Sequence, residues 1–115
     1  MGTRTMLMLA AALVACVAVA VPPTGRAAVA GDAAAGKKVF TDNCTACHSA
    51  TTNQTIAGPG LKGLFKNGKM PASGKPVTDA NVRNQILNCV GGMPPFKGQL
   101  SDADIDNLIA FLKTL

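Results

Sequence analysis

The chain contains no tryptophan and no tyrosine, and its only aromatic residues are four phenylalanines among 115 residues. Proteins that bind single-stranded nucleic acid need aromatic side chains on which the bases stack, so this composition argues against that function. Charged residues are also few, at 15%, whereas hydrophobic residues make up 48%. This balance excludes a disordered polymer, and the length allows one domain without room for a large active-site cleft.

The first 30 residues carry only two charges, both of them arginines. Residues 6–21 form an unbroken apolar run, which is followed by a Pro-Pro-Thr-Gly turn and by Ala-Val-Ala at residues 28–30. This order is typical of a secretory signal peptide with its cleavage site. We therefore predict a signal peptide at residues 1–30, cleaved near Ala30, and one domain at residues 31–115.

Two alternatives for the N-terminal segment remain open. Residues 13–16, Leu-Val-Ala-Cys, resemble a bacterial lipobox in which Cys16 would be lipidated, although the run stays apolar through Val21. The other alternative is an uncleaved membrane anchor, but 16 apolar residues are short for a bilayer, which needs about 20. All three interpretations export the domain. They predict a periplasmic protein, which would be tethered to the membrane if Cys16 is lipidated or if the segment is an uncleaved anchor.

The predicted domain is mildly basic, since it carries eight lysines, one arginine and six aspartates for a net charge of +3. That charge is too small to indicate nucleic-acid binding. It fits electrostatic docking onto an acidic partner protein. A domain of this length buries a modest core and would be stabilised by a disulfide, a metal or a cofactor.

The cysteines indicate which of these the domain uses. Three of them fall in residues 31–115, and an odd number argues against a plain disulfide framework. Two stand in Cys44-Thr-Ala-Cys47-His48, and C-x-x-C-H is the c-type haem attachment motif. Thiols three residues apart can reach both vinyl groups on one porphyrin edge, and the adjacent imidazole then faces the iron. We predict one haem c, covalently attached through Cys44 and Cys47, with His48 as an iron ligand.

Two other sites could use the same motif. A structural zinc ion could be bound by Cys44, Cys47, His48 and Cys89, but an adjacent cysteine and histidine are awkward tetrahedral ligands. A thioredoxin-like redox motif needs a βαβ context, and the sequence has no strong strand pattern. The export signal and the position of the single histidine inside the motif favour haem.

A haem iron held by one histidine needs a sixth ligand, an open site or water, and the domain has no second histidine. Met93 follows two glycines, which allow a close approach to the porphyrin, and precedes two prolines, which stiffen the loop. Met70, in a polar loop, is the second choice. We predict His48 and Met93 as the axial ligands, with core filling as the alternative role for a methionine.

Five ordered blocks of the sequence resemble the class I cytochromes c of the small bacterial type. They are residues 31–40, 44–48, 58–65 (Gly-Pro-Gly-Leu-Lys-Gly-Leu-Phe), 92–94 and 108–113. The resemblance implies an all-α class I cytochrome c fold, with three to five short helices wrapped around one covalent haem c and the terminal helices packed crosswise.

The resemblance also implies particular contacts inside the domain. The carbonyl of Pro59 should accept a hydrogen bond from Nδ1 of His48, and Pro59 is therefore counted among the cofactor-binding residues. The first helix should meet the last through contacts between four residues: Gly36, Phe40, Leu108 and Phe111.

Helix signals in the residues themselves agree with this expectation. Residues 32–42 predict a helix with Asp32 as N-cap, and Ser101 predicts the N-cap of another, whose apolar residues recur at helical spacing. A third helix is predicted near residues 79–89, begun by Thr78 or Asp79. Its Cys89 replaces the glycine more common in the family.

The role of Cys89 stays open at this point. Its helical position predicts a buried small apolar residue, with an intermolecular disulfide or a redox-sensing thiol as the alternatives. The segment from Lys66 to Val77 is predicted to be irregular. The cations Lys66, Lys69, Lys75 and Arg83 either contact haem propionates or are ordinary solvated charges.

No acid–base pair, nucleophile triad or phosphate-binding loop accompanies the predicted haem, so the sequence indicates an electron carrier and not an enzyme. A His/Met iron is six-coordinate, and a substrate could reach it only after ligand loss. We expect a monomer that shuttles single electrons between redox partner proteins docked near the exposed haem edge. The alternatives are an electron-transfer subunit of a dehydrogenase or oxidase complex, and a haem sensor or peroxidase with an open site.

Overall fold

A computed structural model describes residues 30–88 and 91–115 of the chain. In this part the protein forms four helices, α1 (Ala33–Asn43), α2 (Leu64–Asn67), α3 (Asp79–Asn88) and α4 (Asp102–Leu112). The same residues contain isolated β-bridges but no strand, and the predicted all-α class is confirmed. The predictions for the signal peptide, Cys16 and Cys89 concern positions outside the described residues.

Both predicted N-caps are confirmed. The Asp32 carboxylate accepts hydrogen bonds from the N–H groups of Ala34 and Ala35 at the start of α1. At the start of α4, the Ser101 hydroxyl accepts from the Asp104 N–H, and the Asp104 carboxylate accepts from the Ser101 N–H. These oxygens pair N–H groups that have no partner within the first helical turn.

Helices α1 and α4 pack against each other most closely at Gly36. A Cβ at this position would overlap the carbonyl of Asn107 and would lie 2.9 Å from Cβ of Phe111. One turn further along, the rings of Phe40 and Phe111 pack with centroids 5.4 Å apart and planes tilted by 54°. The expected pairing of the first and last helices is present, and Asn107 is an additional contact.

The core lies between the helices, and α4 contributes more buried residues to it than any other helix. Ile105 and Leu108 of that helix are completely buried, and burying one such side chain contributes roughly 1.5–3 kcal/mol. The buried hydrophobic residues are Phe40, Cys44, Leu64, Met70, Val82, Ile86, Ile105, Leu108, Ile109 and Leu112. None of the described helices has the length and apolarity that a membrane span requires.

The segment after residue 64 differs from the prediction, because α2 occupies the start of the expected loop. Gly63 and Gly68 bound this single turn and have left-handed backbones, with φ of 68° and 74°. The remainder is also ordered, since the Met70 N–H donates to the Lys75 carbonyl at 2.8 Å. One helical turn between glycines is too short for an apolar periodicity, so the sequence pattern did not reveal it.

Two of the four cations that were candidates for contacting haem propionates bind other groups of the protein. Arg83 of α3 forms ion pairs with Asp106 and, at 3.5 Å, with Asp102 of α4. The Lys66 ammonium donates to the carbonyl of Leu115 at 3.0 Å. Arg83 therefore joins α3 to α4, and Lys66 joins α2 to the end of the described chain.

Candidate cofactor site

A cavity of about 240 Å³ lies among the four helices and is lined by residues from each of them. Its walls include all five side chains or backbones that the sequence assigns to the cofactor: Cys44, Cys47, His48, Pro59 and Met93. These residues come from widely separated parts of the chain. The fold therefore gathers the predicted site residues around one space.

Helix α1 delivers the attachment motif to the cavity. Directly after the helix the chain makes a tight turn, in which the N–H groups of Cys47 and His48 both donate to the Cys44 carbonyl, at 3.1 and 2.9 Å. Neither of these two cysteines is in a disulfide. Burial raises the pKa of the Cys44 thiol to about 11, with a smaller contribution from Cys47, so Cys44 is a neutral thiol at pH 7.

A hydrogen bond to the backbone orients the ring of His48. Its Nδ1 lies 2.8 Å from the carbonyl oxygen of Pro59, which is the contact that the family resemblance implied. Because a carbonyl can only accept, Nδ1 is the donor in this contact, and Nε2 is the nitrogen left for another partner. A histidine held in one tautomer in this way is suited to bind a metal through the other nitrogen.

The segment that carries Pro59 is itself tied to the attachment motif. The Gly58 N–H donates to the Cys47 carbonyl at 2.8 Å, and the Leu61 N–H donates to the Ser49 carbonyl at 2.7 Å. These two bonds lie on either side of the imidazole contact. The position of the Pro59 carbonyl therefore follows from backbone pairing and does not depend on the histidine alone.

Gly58 is a site residue that sequence reasoning did not single out. A Cβ at this position would lie 2.5 Å from Cε1 and 2.9 Å from Nδ1 of His48. Only glycine therefore leaves room for the ring in this orientation. Its place immediately before Pro59 in the Gly-Pro-Gly segment is the signal that could have identified it.

Both candidate sulfur ligands line the cavity, but their surroundings differ. Met93 is half-buried and follows Gly91 and Gly92, whose φ angles of 77° and 87° lie in the region that favours glycine. Met70 is only 6% exposed and belongs to the buried core. The sequence placed Met70 in a polar loop, but the side chain itself is buried. Its burial agrees with core filling, the alternative role for a methionine.

The residues around the cavity fit a haem. The porphyrin is flat and largely apolar, and no side chain that is polar or charged is buried in the described part of the protein. Two thiols, one oriented imidazole and two thioethers line the same space. Across residues 30–88 and 91–115, no three His, Cys, Asp or Glu side chains gather as a metal site, and Cys89 of the zinc alternative lies outside this range.

Comparisons with known proteins agree with this arrangement. The family model for cytochrome c oxidase, cbb3-type, subunit III matches residues 31–112. Cytochrome c6 of Picosynechococcus sp. is 40% identical over 93 residues, which cover 76% of this chain and 77% of the relative. Cytochrome c6 of Leptolyngbya boryana is 44% identical over 81 residues, with 70% and 89% covered.

A solved structure extends the similarity to the fold. Cytochrome c6 from the diatom Phaeodactylum tricornutum matches with a TM-score of 0.59 and 30% identity, over 73% of this chain and 93% of the diatom protein. The chain belongs to the class I monohaem c-type cytochromes. Within that family, proteins named cytochrome c6 are among its relatives.

Proposed function

We propose that this protein is a periplasmic single-electron carrier whose domain holds one haem c. Cys44 and Cys47 would attach the haem covalently, and His48 and Met93 would bind its iron. The observation that carries the proposal is the convergence of these four side chains on one apolar cavity. When bound, haem c supplies an iron that changes between two oxidation states.

The protein's own residues favour electron transfer over catalysis. His48 keeps one orientation because its Nδ1 donates to a carbonyl that the backbone holds in place. Met93 is presented by a loop with glycines before it and prolines after it, which restricts its movement. If His48 and Met93 both held the iron, no coordination position would be left for a substrate, so we infer a carrier and not an enzyme.

Export to the periplasm is part of the proposal and rests on the N-terminal pattern. Close to the expected cleavage point the chain is already tied into the folded domain, since the Asp32 N–H donates to Oδ1 of Asn107 at 2.8 Å. A cleaved signal peptide predicts Gly31 as the first residue of the exported protein. N-terminal sequencing and intact mass would distinguish this product from one lipidated at Cys16 or from the uncleaved chain.

Visible and near-infrared spectra of the purified holoprotein test the proposed ligands. We expect a c-type spectrum on reduction and a weak thioether-to-iron band on oxidation. Met93→Ala should abolish the band and lower the midpoint potential by on the order of 0.1 V, because axial ligands span about 0.8 V of haem potentials. Met70→Leu is the matched control and should keep both the band and the midpoint potential of the wild type.

Two results would contradict this ligand set. One is a thioether band that survives in Met93→Ala and disappears in Met70→Leu. The other is ready binding of carbon monoxide to the reduced wild-type protein at neutral pH, which would indicate an open sixth position and favour the sensor or peroxidase alternative.

A second candidate function is an electron-transfer subunit of a dehydrogenase or oxidase complex. The match to a family model named for an oxidase subunit favours it. Fractionation of native cells separates the two: a free carrier should be recovered with the soluble periplasmic proteins, whereas a subunit should copurify with its complex.

A further inference from the structure

Met93 lies in the segment that connects α3 to α4, and we call residues 91–101 of this segment the Met93 loop. In the part of the chain that the structure describes, no backbone N–H of residues 91–95 donates to a backbone carbonyl. Two of these five residues are prolines, which have no N–H to donate. The position of the Met93 side chain therefore depends on how the rest of the loop and its two ends are held.

The second half of the Met93 loop is a compact turn that is attached to α3. The N–H groups of Gln99 and Leu100 both donate to the Phe96 carbonyl, at 3.0 and 3.2 Å. The Phe96 N–H in turn donates to the Ile86 carbonyl of α3 at 3.0 Å. Because the Ile86 side chain is buried and lines the cavity, the loop is bonded to a helix that forms part of the cavity wall.

Arg83 joins the same helix to the start of α4, where the Met93 loop ends. Nη2 of its guanidinium pairs with the Asp106 carboxylate, and Nη1 lies 3.5 Å from the Asp102 carboxylate. The two aspartates are four residues apart, so they lie on one face of α4. A planar guanidinium can serve two such partners at once. One side chain therefore holds together the two helices that the Met93 loop connects.

The surroundings of Arg83 separate it from the cavity itself. Its side chain is 29% exposed and that of Asp106 is 38% exposed, so this pair is partly shielded from water. Val82 and Ile86 of the same helix line the cavity, whereas Arg83 is not among the lining residues. Any influence of Arg83 on the cavity must therefore pass through the helix and the Met93 loop.

A second ion pair joins α3 and α4 at the ends that the Met93 loop does not connect. The Lys113 ammonium, which follows α4, lies 2.7 Å from the carboxylate of Asp79, the first residue of α3. These side chains are more exposed, at 46% and 59%. The protein thus supplies a matched ion pair between the same two helices, away from Met93 along both of them.

We propose that Arg83 is a positioning residue for Met93, because its ion pairs with α4 keep the Met93 loop closed against the cavity. The inference rests on the proposed function, since it takes Met93 as an iron ligand. The loop is bonded to α3 and runs directly into α4, so withdrawing Met93 from the cavity requires these helices to shift against each other. That shift separates Arg83 from both carboxylates, and removing the pairs raises the population of the open loop.

Binding of carbon monoxide to the reduced holoprotein measures how readily the loop opens. The gas takes the coordination position that the thioether leaves, no electron is gained or lost, and stopped-flow absorbance gives the rate constant. Carbon monoxide is uncharged, so a changed surface charge neither attracts nor repels it. Arg83→Gln is compared with Lys113→Gln, which removes the other ion pair between α3 and α4.

We expect Arg83→Gln to bind carbon monoxide at least about threefold faster than the wild type, a factor within the range of a partly exposed ion pair. Lys113→Gln should change the rate constant less than about twofold. Arg83→Lys keeps the charge but not the planar fork, so its rate constant should lie between those of Arg83→Gln and the wild type. Equal acceleration by the Arg83→Gln and Lys113→Gln variants, or none by either, would overturn the proposal.

An equilibrium measurement checks the same shift in the oxidised protein. Imidazole, titrated at pH 8 where it is neutral, replaces the thioether and removes the thioether-to-iron band. The apparent dissociation constant should fall by about the same factor in Arg83→Gln as the carbon monoxide rate constant rises. Denaturant unfolding of both glutamine variants shows whether they lose comparable stability. A fall in the imidazole constant that follows stability alone, in Lys113→Gln as in Arg83→Gln, would assign Arg83 a purely structural role.

A double variant tests whether Arg83 acts through Asp106. Asp106→Asn should accelerate carbon monoxide binding about as much as Arg83→Gln does, and the variant with both changes should bind no faster than Arg83→Gln alone. Effects that multiply would contradict a shared action of the pair. If Arg83→Gln does not fold, Arg83→Lys and Asp106→Asn provide the same comparison with Lys113→Gln.

The failure of the proposed function has a different signature. A wild-type holoprotein without a thioether-to-iron band, or one that binds carbon monoxide readily when reduced, does not use Met93 as a ligand, and both proposals are then overturned. A wild-type protein that has the band, with Arg83 variants that match it in both ligand-binding measurements, keeps the proposed ligands and loses only the positioning role of Arg83.

Discussion

One hydrogen bond gives the two nitrogens of His48 different roles. Nδ1 donates to the Pro59 carbonyl, and Nε2 is left as the nitrogen that can bind a metal. The contact depends on the absence of a side chain at Gly58, where a Cβ would press against the ring. The orientation of the His48 ring thus depends on Gly58, a residue that has no side chain.

Replacing Gly58 with alanine should displace the imidazole. We expect Gly58→Ala to lower the free energy of unfolding by about 1–3 kcal/mol, the usual cost of overpacking, and to weaken or shift the thioether-to-iron band. Denaturant unfolding and the near-infrared spectrum measure these effects. Gly74→Ala is the control: it has a φ of 66° but no atom near its Cβ, so it should cost stability without changing the spectrum.

Residues of the same type have different surroundings that composition does not reveal. Cys44 and Cys47 both belong to the attachment motif, yet the first is buried and the second is half-buried. Met70 and Met93 both line the cavity, but only Met93 comes directly after two glycines with a positive φ. Sequence reasoning could rank the two methionines by their neighbours, but it could not place Met70 in the core.

At the scale of the elements, the closest helix contact depends on Gly36. Alanine in place of glycine normally stabilises a helix by up to about 1 kcal/mol. Here we expect Gly36→Ala to destabilise the protein by about 3 kcal/mol, because its Cβ would overlap the Asn107 carbonyl. Thermal and denaturant unfolding of the holoprotein give the change.

A neighbouring substitution separates this effect from helix propensity. Ala34 is exposed on the same helix, so Ala34→Gly should cost no more than about 1 kcal/mol. If Gly36→Ala were as stable as the wild type, the backbones of α1 and α4 could not approach each other closely at Gly36 and Asn107.

The cap of α4 gives a prediction with a pH dependence. Hydrogen bonds from the Ser101 hydroxyl and, to a smaller extent, from the Ser101 backbone N–H hold the pKa of the Asp104 carboxyl below its usual value of 3.8. A lowered pKa in the folded state contributes stability above the unfolded value and loses it as pH falls through the folded value. The stability of the wild type should therefore decrease as the pH falls below about 4.

Ser101→Ala should remove both the cap and part of this dependence. We expect a loss of about 1 kcal/mol at pH 7, the usual cost of losing a serine N-cap, and a shallower decline with acid. Urea unfolding at pH 7, 4 and 3 measures both quantities. Ser73→Ala, outside the helices, is the control, and an identical acid slope in Ser101→Ala and the wild type would contradict the role of the capping box.

For the whole molecule, we expect the stability of the fold to depend on what fills the cavity. A void of about 240 Å³ would cost up to about 6 kcal/mol at ~24 cal/mol per Å³. That is comparable to the total stability of about 5–15 kcal/mol of an ordinary domain. Residues from all four helices line the cavity, so an occupant would contact every one of them.

Preventing haem attachment should therefore unfold the domain. In the double variant Cys44→Ala/Cys47→Ala we expect most of the helical circular dichroism and the cooperative unfolding transition to be lost. The single variant Cys44→Ala, which keeps one thiol, is the comparison and should be intermediate. A haem-free double variant with wild-type helicity and a sharp transition would show that the helices pack without the cofactor.

Features that depend only on neighbouring residues could be predicted from the sequence. The caps Asp32 and Ser101, three of the four helices and the attachment motif are local, because a hydrogen-bonding side chain or a fixed spacing decides each of them. Tertiary structure alone decided that α2 forms between two glycines, that Arg83 joins α3 to α4 and that Met70 is buried. These features depend on contacts between segments that are distant in the sequence. Local residue patterns do not specify such contacts.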